Sequence, residues 1–397
     1  MAIGGSTFGG LGSKFVGMCA AAPSLLFYAD THANRDLLYF GRFECHDPFL
    51  AFAVGDKKVA VLNALEFGRG LKESAFDEIL SLETLQAELR VRYPETPRFG
   101  PADIVALLAT KLGITAWRVA EDFPAGLLER LRARHLRVEV ATEAVLPARE
   151  IKTAREAAAI RAGNRVAAAG FVAAEALLRR AKIVGKKLVL DGRPLTSERV
   201  RLAIEVACLE AGGLALDTIV AGGDQACDPH CRGQGPLRAN ALIIVDIFPR
   251  HTASGYHGDM TRTYLKGRAS AEQRALVEAV AAAQKAARRV LRAGVISAAV
   301  HQECVNVFAA RGYETKATPK GSVGFFHGTG HGLGLAVHEA PRVSSAVQEP
   351  LKLGAVVTVE PGLYYPGLGG CRIEDVAWLT EKGHQLLSKH PYKWEIA

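Results

Sequence analysis

Apolar and polar positions follow two different periods in the first part of the chain. Short apolar stretches at residues 51–54 and 59–62 flank Gly55 and Asp56, which are typical turn residues, and predict two strands of a hairpin. Longer stretches at residues 76–89 and 102–112 have a period near 3.6 and predict helices. We therefore expect a mixed α/β organisation in this part of the chain.

A break follows at Pro147, and the composition changes sharply beyond it. Residues 152–181 are rich in alanine and predict one long helix. We place a domain boundary near residues 148–152, so that the predicted domains are residues 1–150 and 151–397.

Beyond this boundary, predicted helices come in pairs between groups of strands. The predicted helices are residues 196–210, which stop at Gly212-Gly213, and residues 270–293 and 297–311, which glycine follows directly. The second opens with the capping box of Ser270 and Gln273. Predicted strands are residues 241–247, 355–360 and 373–379. This order is typical of an α+β fold and differs from strict βαβ alternation.

The composition is that of an ordinary globular protein, because 49% of the 397 residues are hydrophobic and 23% are charged. The formal net charge is +8, but the basic residues are scattered. The densest basic cluster is Arg130, Arg132, Arg134 and Arg137, whose helical spacing predicts a solvated helix face rather than a nucleic-acid site. Nucleotide-binding and serine-hydrolase motifs are absent, so those functions lack support.

Cysteine usage and hydropathy indicate a cytoplasmic protein. Seven cysteines argue against a disulfide framework and for a reducing compartment. No window reaches the ~18 apolar residues of a membrane span, so we expect no membrane contact. Residues 15–29 are apolar, but Gly17 and Pro23 interrupt them and only one charged residue, Lys14, precedes them, so we expect no signal peptide.

Four carboxylates stand beside apolar strands in the second part of the chain. Asp246 and Glu360 end the apolar stretches ALIIVD and AVVTVE, and Glu374 lies in RIEDVAWL. Asp259 follows Asp246 by 13 residues, across a predicted hairpin turn. Burying an unpaired carboxylate would cost several kcal/mol or shift its pKa. One such residue would be an ordinary turn cap, whereas four of them predict a site that holds a cation.

Histidines are concentrated in the segment HGTGHGLGLAVHEAP, which contains His327, His331 and His338. The alternating glycines argue against the helical zinc motif and predict an extended loop whose backbone approaches a ligand. Two aspartates, two glutamates and one imidazole suit Mn²⁺, Co²⁺, Zn²⁺ or Fe²⁺. Five such ligands fit two ions ~3.5–4 Å apart better than one catalytic zinc.

The order of these segments resembles the M24 metallopeptidases, which have the pita-bread fold and include methionine aminopeptidase, aminopeptidase P and prolidase. The resemblance rests on VDIFPRHTASGYHGDMTRTY, HGTGHGLGLAVHEAP, VTVEPGLYY and GGCRIEDV, and it covers about residues 150–390. It implies an α+β fold in which a pita-bread catalytic domain follows a smaller creatinase-type α/β domain. The segment RDLLYFGRF is similar in style to that N-terminal domain.

The resemblance, carried over motif by motif, implies five metal ligands: Asp246, Asp259, His331, Glu360 and Glu374. It implies that Asp259 and Glu374 bridge two divalent ions, with Mn²⁺ the first expectation and Co²⁺, Zn²⁺ or Fe²⁺ the alternatives. Asp246 would then complete one site, while His331 and Glu360 would complete the other.

The resemblance also implies roles for residues around the metals. Glu360 matches the base that takes a proton from the bridging water, and His338 matches the histidine that contacts the scissile peptide and stabilises the tetrahedral intermediate. His327 matches a histidine of the substrate pocket, and His230 one used in binding or proton transfer. Arg372 lies two residues before the last metal ligand, where it would orient that carboxylate or the substrate.

The activity implied by this resemblance is hydrolysis of the peptide bond between an N-terminal residue and proline by a metal-bridging hydroxide, as in an Xaa-Pro aminopeptidase or dipeptidase. The X-Pro amide has no N–H, so general peptidases that need a hydrogen-bonded substrate backbone tend to fail on it, and a dedicated enzyme is reasonable. The implied partners are a peptide with proline at its second position and a second copy of the chain in a homodimer. The alternatives are methionine aminopeptidase, a relative acting on a small non-peptide metabolite, and a non-catalytic pita-bread binding module.

Two features depart from the family pattern. The family usually has Asp-x-Gly at the first metal ligand, whereas this chain has Asp246-Ile-Phe and a longer separation between the two aspartates, which predicts a longer hairpin loop. The segment CDPHC offers a different zinc site through Cys227, His230 and Cys231, although no fourth ligand follows at the usual spacing.

Overall fold

The computed structural model describes residues 22–319, 321–391 and 393–396. Its contacts divide the chain into two compact units, Met1–Leu146 and Pro147–Ala397, which we call the N-terminal and C-terminal units. The apolar stretch at residues 15–29 is only partly described. Residues 15–21 lie outside the described residues, whereas Ser24–Ala29 forms a strand. Within the described part of the chain, no helix combines the length and hydropathy needed to cross a membrane.

The N-terminal unit is built on one mixed sheet. Its strands are β1 (Ser24–Ala29), β2 (Phe49–Val54), β3 (Lys57–Leu62), β4 (Glu78–Ser81), β5 (Trp117–Val119) and β6 (Val138–Val140). Its helices are α1 (Arg35–Gly41), α2 (Ala64–Glu73), α3 (Leu82–Arg92), α4 (Pro101–Leu112) and α5 (Ala125–Ala133). The sheet order is β4-β3-β2-β1-β5-β6, with β2 antiparallel to both of its neighbours. The prediction of a mixed α/β unit is confirmed.

Two predictions for this unit were wrong in part. The helix expected at residues 76–89 begins only at Leu82, because residues 78–81 pair in parallel with β3 and the Ser81 side chain then accepts the Thr84 N–H as the helix cap. Sheet pairing thus outweighs the helical period there. The basic cluster is solvent-exposed as expected, but α5 ends at Ala133, so Arg137 lies beyond the helix.

The C-terminal unit contains several smaller sheets and four longer helices among its described residues. The helices are α6 (Ala154–Arg180), α7 (Ser197–Glu210), α8 (Ala271–Val290) and α9 (Ser297–Ala310), with short 3₁₀ helices at Pro147–Glu150 and Gly223–Cys227. The strands up to the second helix pair are β7 (Lys182–Val184), β8 (Lys187–Leu190), β9 (Arg193–Pro194), β10 (Gly213–Leu214), β11 (Ile219–Gly222), β12 (Leu242–Ile247), β13 (Arg250–His251) and β14 (Met260–Lys266). The later strands are β15 (Lys316–Thr318), β16 (Gly321–Val323), β17 (Gly330–Gly332), β18 (Glu339–Val343), β19 (Val356–Val359), β20 (Gly362–Tyr365), β21 (Gly369–Arg372), β22 (Asp375–Thr380), β23 (Gly383–Leu386) and β24 (Glu395–Ile396).

Two larger sheets carry the core of this unit. The first has the order β11-β12-β14-β24, and α6 and α7 pack against it around buried Phe171 and Ile204. The second has the order β18-β17-β19-β22-β23, and α8 and α9 pack beside it around buried Leu276 and Phe308. The predicted α+β order with paired helices is therefore confirmed.

The predicted elements of the C-terminal unit are present with shifted ends. The Ala-rich helix is α6, and the capping box at Ser270 forms as predicted, although α8 ends at Val290 rather than at residue 293. The predicted hairpin is formed by β12 and β14, which place Asp246 opposite Thr261. The loop between them lies directly against α6, since a Cβ on Gly258 would be 2.2 Å from the carbonyl carbon of Gly163.

Candidate metal centre

The two larger sheets of the C-terminal unit contribute the predicted metal ligands from their facing ends. Asp246 lies on β12 and Asp259 directly precedes β14, so the first sheet supplies both aspartates. His331 lies on β17, Glu360 directly follows β19, and Glu374 directly precedes β22, so the second sheet supplies the other three ligands. Residues far apart in sequence therefore meet because the strand ends of the two sheets meet.

Hydrogen bonds fix the junction between the two sheets. The Glu374 N–H donates to the Thr261 carbonyl oxygen over 3.0 Å, and the Thr261 hydroxyl donates to Glu374 Oε2 over 2.8 Å. On the other side, the Asn164 side chain of α6 accepts the Asp259 N–H over 3.1 Å. The metal-ligand positions are thus held through both backbone and side-chain contacts.

The five predicted metal ligands lie close together, and all of them except the half-buried Glu360 are buried. Ligand atoms of Asp259, His331 and Glu374 all lie within 4.8 Å of one another. His331 Nε2 is 3.1 Å from Glu360 Oε1 and 3.8 Å from Asp259 Oδ2. Asp246 lies close enough to add to the rise that burial causes in the pKa of Asp259, and its Oδ2 accepts a hydrogen bond from Arg372 over 2.7 Å.

Burial and mutual repulsion shift the protonation of these carboxyl groups. Burial raises the pKa of Asp259 well above its usual range, and the charge of Asp246 adds to the effect. Burial likewise raises the pKa of Glu374, with repulsion from Asp259 as the next cause. Burial alone would also raise the pKa of Glu360, but its hydrogen bond with His331 lowers it to about 2. Asp259 and Glu374 therefore retain protons more tightly than free carboxyl groups do, because their protein neighbours do not fully compensate a negative charge there.

The chemistry of this cluster fits divalent cations. Of the four carboxylates, those of Asp246, Asp259 and Glu374 are buried; the guanidinium of Arg372 contacts Asp246, and the imidazole of His331 lies near Asp259 and Glu360. Asp246 Oδ1 and Glu374 Oε1 are buried and have no hydrogen-bond partner among the described residues. Buried acceptor oxygens without donors suit metal ligation, because leaving them unpaired costs about 1–3 kcal/mol or more each.

Arg372 and Tyr364 form a hydrogen-bond network beside the carboxylates. The Arg372 side chain donates to Asp246, to the Tyr364 hydroxyl over 3.0 Å and to the Thr261 hydroxyl over 3.3 Å. The Tyr364 hydroxyl also lies 2.9 Å from His327 Nε2. Arg372 thus orients the first aspartate directly and Glu374 only through Thr261, whereas the sequence predicted an effect on Glu374 or on substrate.

A cavity of about 1030 Å³ opens over the cluster. All five predicted metal ligands line it, together with His230, His327, His338 and Arg372. The His338 ring stands edge-on to the His331 ring at 4.3 Å, and burial followed by the charge of His331 lowers the pKa of His338 to about 4. At neutral pH this imidazole is therefore uncharged.

Sequence reasoning missed several residues of this cavity. Arg342 lines its rim and is exposed. Its spacing from His338 suggests one face of an extended chain, but the register between β17 and β18 shifts here, so strand alternation could not have placed Arg342. The roles of Thr261 and Tyr364 had no signal in the sequence, since the Thr261 hydroxyl contacts Glu374 and the Tyr364 hydroxyl contacts His327, which lie 113 and 37 residues away.

The alternative zinc site does not form in the described part of the chain. A search there for three potential metal ligands close to one another finds only the group of Asp259, His331 and Glu374. Cys227, His230 and Cys231 form no such group, and burial raises the pKa of the Cys227 thiol to about 12.

The fold is similar to solved structures of peptidases over nearly its whole length. The prolidase from Pyrococcus horikoshii OT3 superposes with a TM-score of 0.76 at 23% identity, over 94% of this chain and 95% of that one. The X-Pro aminopeptidase from Thermotoga maritima MSB8 gives a TM-score of 0.78 at 21% identity, over 94% and 97%. This likeness confirms the predicted fold class, a pita-bread unit combined with an N-terminal α/β unit.

Sequence comparison agrees over a shorter range. The Xaa-Pro dipeptidase of Pyrococcus furiosus is 35% identical over 176 residues, which are 44% of this chain and 48% of that protein. The chain therefore spans about half the length of the curated relatives it matches. The model of the family described as "Metallopeptidase family M24" matches residues 158–381, more than half of the chain. The chain belongs to metallopeptidase family M24.

Proposed function

We propose that the protein removes an N-terminal residue that precedes proline, using two divalent cations held by Asp246, Asp259, His331, Glu360 and Glu374. One observation carries the proposal: these five side chains, three further histidines and three arginines line a single cavity. The names of the similar proteins, Xaa-Pro dipeptidase, prolidase and X-Pro aminopeptidase, support the choice of peptide bond.

The cations, when bound, supply Lewis acidity that activates a water molecule and polarises the scissile carbonyl. The remaining chemistry belongs to side chains of this cavity. We assign the role of proton acceptor to Glu360, whose carboxylate is oriented by hydrogen bonds from Thr358 and His331 to its Oε1. The uncharged imidazole of His338 donates a hydrogen bond to the oxygen on which negative charge develops.

The cavity rim favours a short substrate. Among the described residues, no carboxylate forms an ion pair with Arg342, whereas Arg232 lies 3.7 Å from Asp217 across the same rim. A free guanidinium beside His338 attracts the terminal carboxylate of a substrate whose chain ends soon after the scissile bond. We therefore propose that Xaa-Pro dipeptides are better substrates than longer peptides.

Peptide cleavage by the metal-reconstituted protein tests both the proposed Xaa-Pro activity and the proposed preference for dipeptides. We expect Mn²⁺-loaded protein to cleave Xaa-Pro dipeptides, with lower kcat/KM for Xaa-Pro-Yaa tripeptides and no cleavage of Xaa-Ala controls. Arg342→Met should raise KM for the dipeptides and leave tripeptide cleavage nearly unchanged. Cleavage of tripeptides alone would overturn the dipeptide preference, and no cleavage with Mn²⁺, Co²⁺, Zn²⁺ or Fe²⁺ would overturn the proposed activity.

Two variants separate metal binding from substrate chemistry. Asp259→Ala should lose both cations and all activity, because the proposed role of Asp259 is to bridge them. His338→Ala should keep its metal content, measured by plasma mass spectrometry, and lose most turnover. Two metal ions per chain in Asp259→Ala would rule out the bridging role, and unchanged turnover in His338→Ala would remove the role of that histidine.

A further inference from the structure

The segment that carries His338 is a loop without regular structure. It leaves β17 at Gly332 and enters β18 at Glu339. His338 makes no side-chain hydrogen bond to any described residue, and its aromatic contact there is the edge-on one with the His331 ring. Its position in the cavity must therefore be set by the backbone of the loop rather than by its own side-chain contacts.

Glu339 ties the His338 side of this loop to the rest of the unit, while the middle of the loop is held separately by the His257 N–H, which donates to the Gly334 carbonyl oxygen over 2.8 Å. Glu339 Oε1 accepts the Ala336 N–H over 2.8 Å, across the loop, and also contacts Arg149. Its Oε2 accepts a hydrogen bond from Lys152 Nζ over 3.1 Å. The carboxylate also packs on the loop backbone, since a Cβ on Gly334 would be 2.6 Å from Oε2.

The three charged side chains form what we call the Glu339 ion cluster: Arg149, Lys152 and Glu339. The Glu339 side chain is only 6% exposed and that of Lys152 only 2%. A buried pair of this kind responds strongly to the loss of one partner, because the remaining charge is left without compensation. The two cations lie in the segment that leads into α6, so the loop is held by an element outside its own sheet.

We propose that Glu339, held by Lys152 and Arg149, is a positioning residue that sets the place of His338 in the cavity. Adjacent Cα atoms are only ~3.8 Å apart, so fixing residue 339 fixes the origin of the neighbouring imidazole. The Glu339 carboxylate bonds to Arg149, Lys152 and the Ala336 N–H, none of which is a predicted metal ligand, so we expect metal binding to survive its replacement. The inference rests on the proposed function for the role of His338, but the position of the ring can be tested separately.

A double-mutant cycle on the metal-reconstituted protein tests the kinetic consequence. Glu339→Gln should lower kcat for an Xaa-Pro dipeptide by roughly 10–100-fold, the range expected from misplacing a catalytic group. In the His338→Ala background the same change should have almost no further effect. An equal loss in both backgrounds would show a merely structural role and overturn the proposal. Lys152→Met provides a second variant if Glu339→Gln does not fold, with the same expected pattern.

A measurement without turnover separates this proposal from the proposed activity. Diethylpyrocarbonate modifies accessible imidazoles, and peptide mapping by mass spectrometry gives the rate at His338 in metal-free protein. We expect Glu339→Gln to change that rate while metal content after reconstitution stays at the wild-type value. An unchanged rate would overturn the positioning role, even if the protein cleaved Xaa-Pro peptides. A changed rate in a protein that cleaves none of them would contradict only the proposed function.

Glu150→Gln is the matched control. It removes an ion pair from the same segment, since Glu150 accepts a hydrogen bond from Lys352 over 2.7 Å, but it does not contact the His338 loop. We expect wild-type kcat and a wild-type modification rate at His338. The same changes in this control as in Glu339→Gln would show that any charge loss in the segment suffices, and the specific role of Glu339 would fall.

Discussion

Replacing Glu374 by glutamine should stabilise the metal-free protein and at the same time remove its response to metal. Glu374 is 1% exposed, and its Oε1 has no hydrogen-bond partner among the described residues. Glutamine keeps the shape of the side chain and an oxygen that can accept the Thr261 hydroxyl, as Oε2 does over 2.8 Å. The change therefore removes charge and little else.

The size of the effect follows from the distance between the two carboxylates. Ligand atoms of Asp259 and Glu374 lie within 4.8 Å of each other. Two unit charges at that separation repel by about 3.5 kcal/mol at an effective dielectric constant near 20. Partial protonation relieves some of this repulsion in the wild type, so we expect a gain of roughly 1–2 kcal/mol at pH 8. That corresponds to a rise in Tm of about 2–8 °C, at ~2–4 °C per kcal/mol.

The gain should grow as the pH rises. The usual pKa of a glutamate is 4.5, and burial raises the pKa of Glu374 well above it in the folded, metal-free state. The folded protein therefore holds a proton that the unfolded chain has released, and wild-type stability falls as the pH rises above about 4.5. Glu374→Gln lacks the titrating carboxyl group at this position, so its stability falls less than that of the wild type as the pH rises.

Metal binding should favour the wild type, whereas the loss of charge favours the metal-free variant. A ligand at 100 times its Kd stabilises a folded protein by about 2.7 kcal/mol. Mn²⁺ should therefore raise the Tm of the wild type and leave Glu374→Gln almost unchanged.

Thermal unfolding, followed by circular dichroism with EDTA and with Mn²⁺ at pH 6 and pH 8, measures both effects. Glu381→Gln, which changes an exposed turn residue, is the control and should match the wild type in every condition. Metal-free Glu374→Gln that is less stable than the wild type would refute the charge repulsion at Glu374. An equal rise of both melting temperatures with Mn²⁺ would refute its role in metal binding.

Three further predictions concern contacts around and away from the cluster. Thr261→Val, which removes the hydroxyl bonded to Glu374, should weaken Mn²⁺ binding by roughly 10–100-fold in calorimetric titration, and unchanged affinity would contradict the contact. Gly258→Ala should destabilise the protein by about 1–3 kcal/mol in urea unfolding, because the added Cβ would be 2.2 Å from Gly163, and wild-type stability would refute that packing. Burial alone would raise the pKa of Glu175, but its side-chain hydrogen bonds outweigh burial and lower that pKa, so Glu175→Gln should reduce stability above pH 4.5 and less at lower pH. Xaa-Pro cleavage should be unchanged, and a pH-independent loss of stability would contradict the lowered pKa.

Local patterns predicted most of the helices and the central strands. The capping box at Ser270 and the Ala-rich composition of α6 act within one or two turns of chain, so their outcome does not depend on distant residues. Strand β4 shows where such reasoning stops. Its four residues read as the start of a helix, and only pairing with β3 makes them extended.

The metal ligands were predictable because their chemistry is unusual for their surroundings. A carboxylate such as Asp246 at the end of an apolar strand, or three histidines in a glycine-rich segment, is visible in the sequence itself. Their roles as ligands and catalysts stay predictions, and so do the native metal, the homodimer and the cytoplasmic location.

The sequence by itself therefore determined the element types and the side chains able to bind cations, because propensity and polarity act over a few residues. Only the tertiary structure decided which groups surround those side chains. The pairing of Arg372 with Asp246, of Thr261 with Glu374 and of Lys152 with Glu339 joins positions more than 100 residues apart. Such contacts depend on how sheets and helices pack in three dimensions, and no short-range pattern along the chain encodes them.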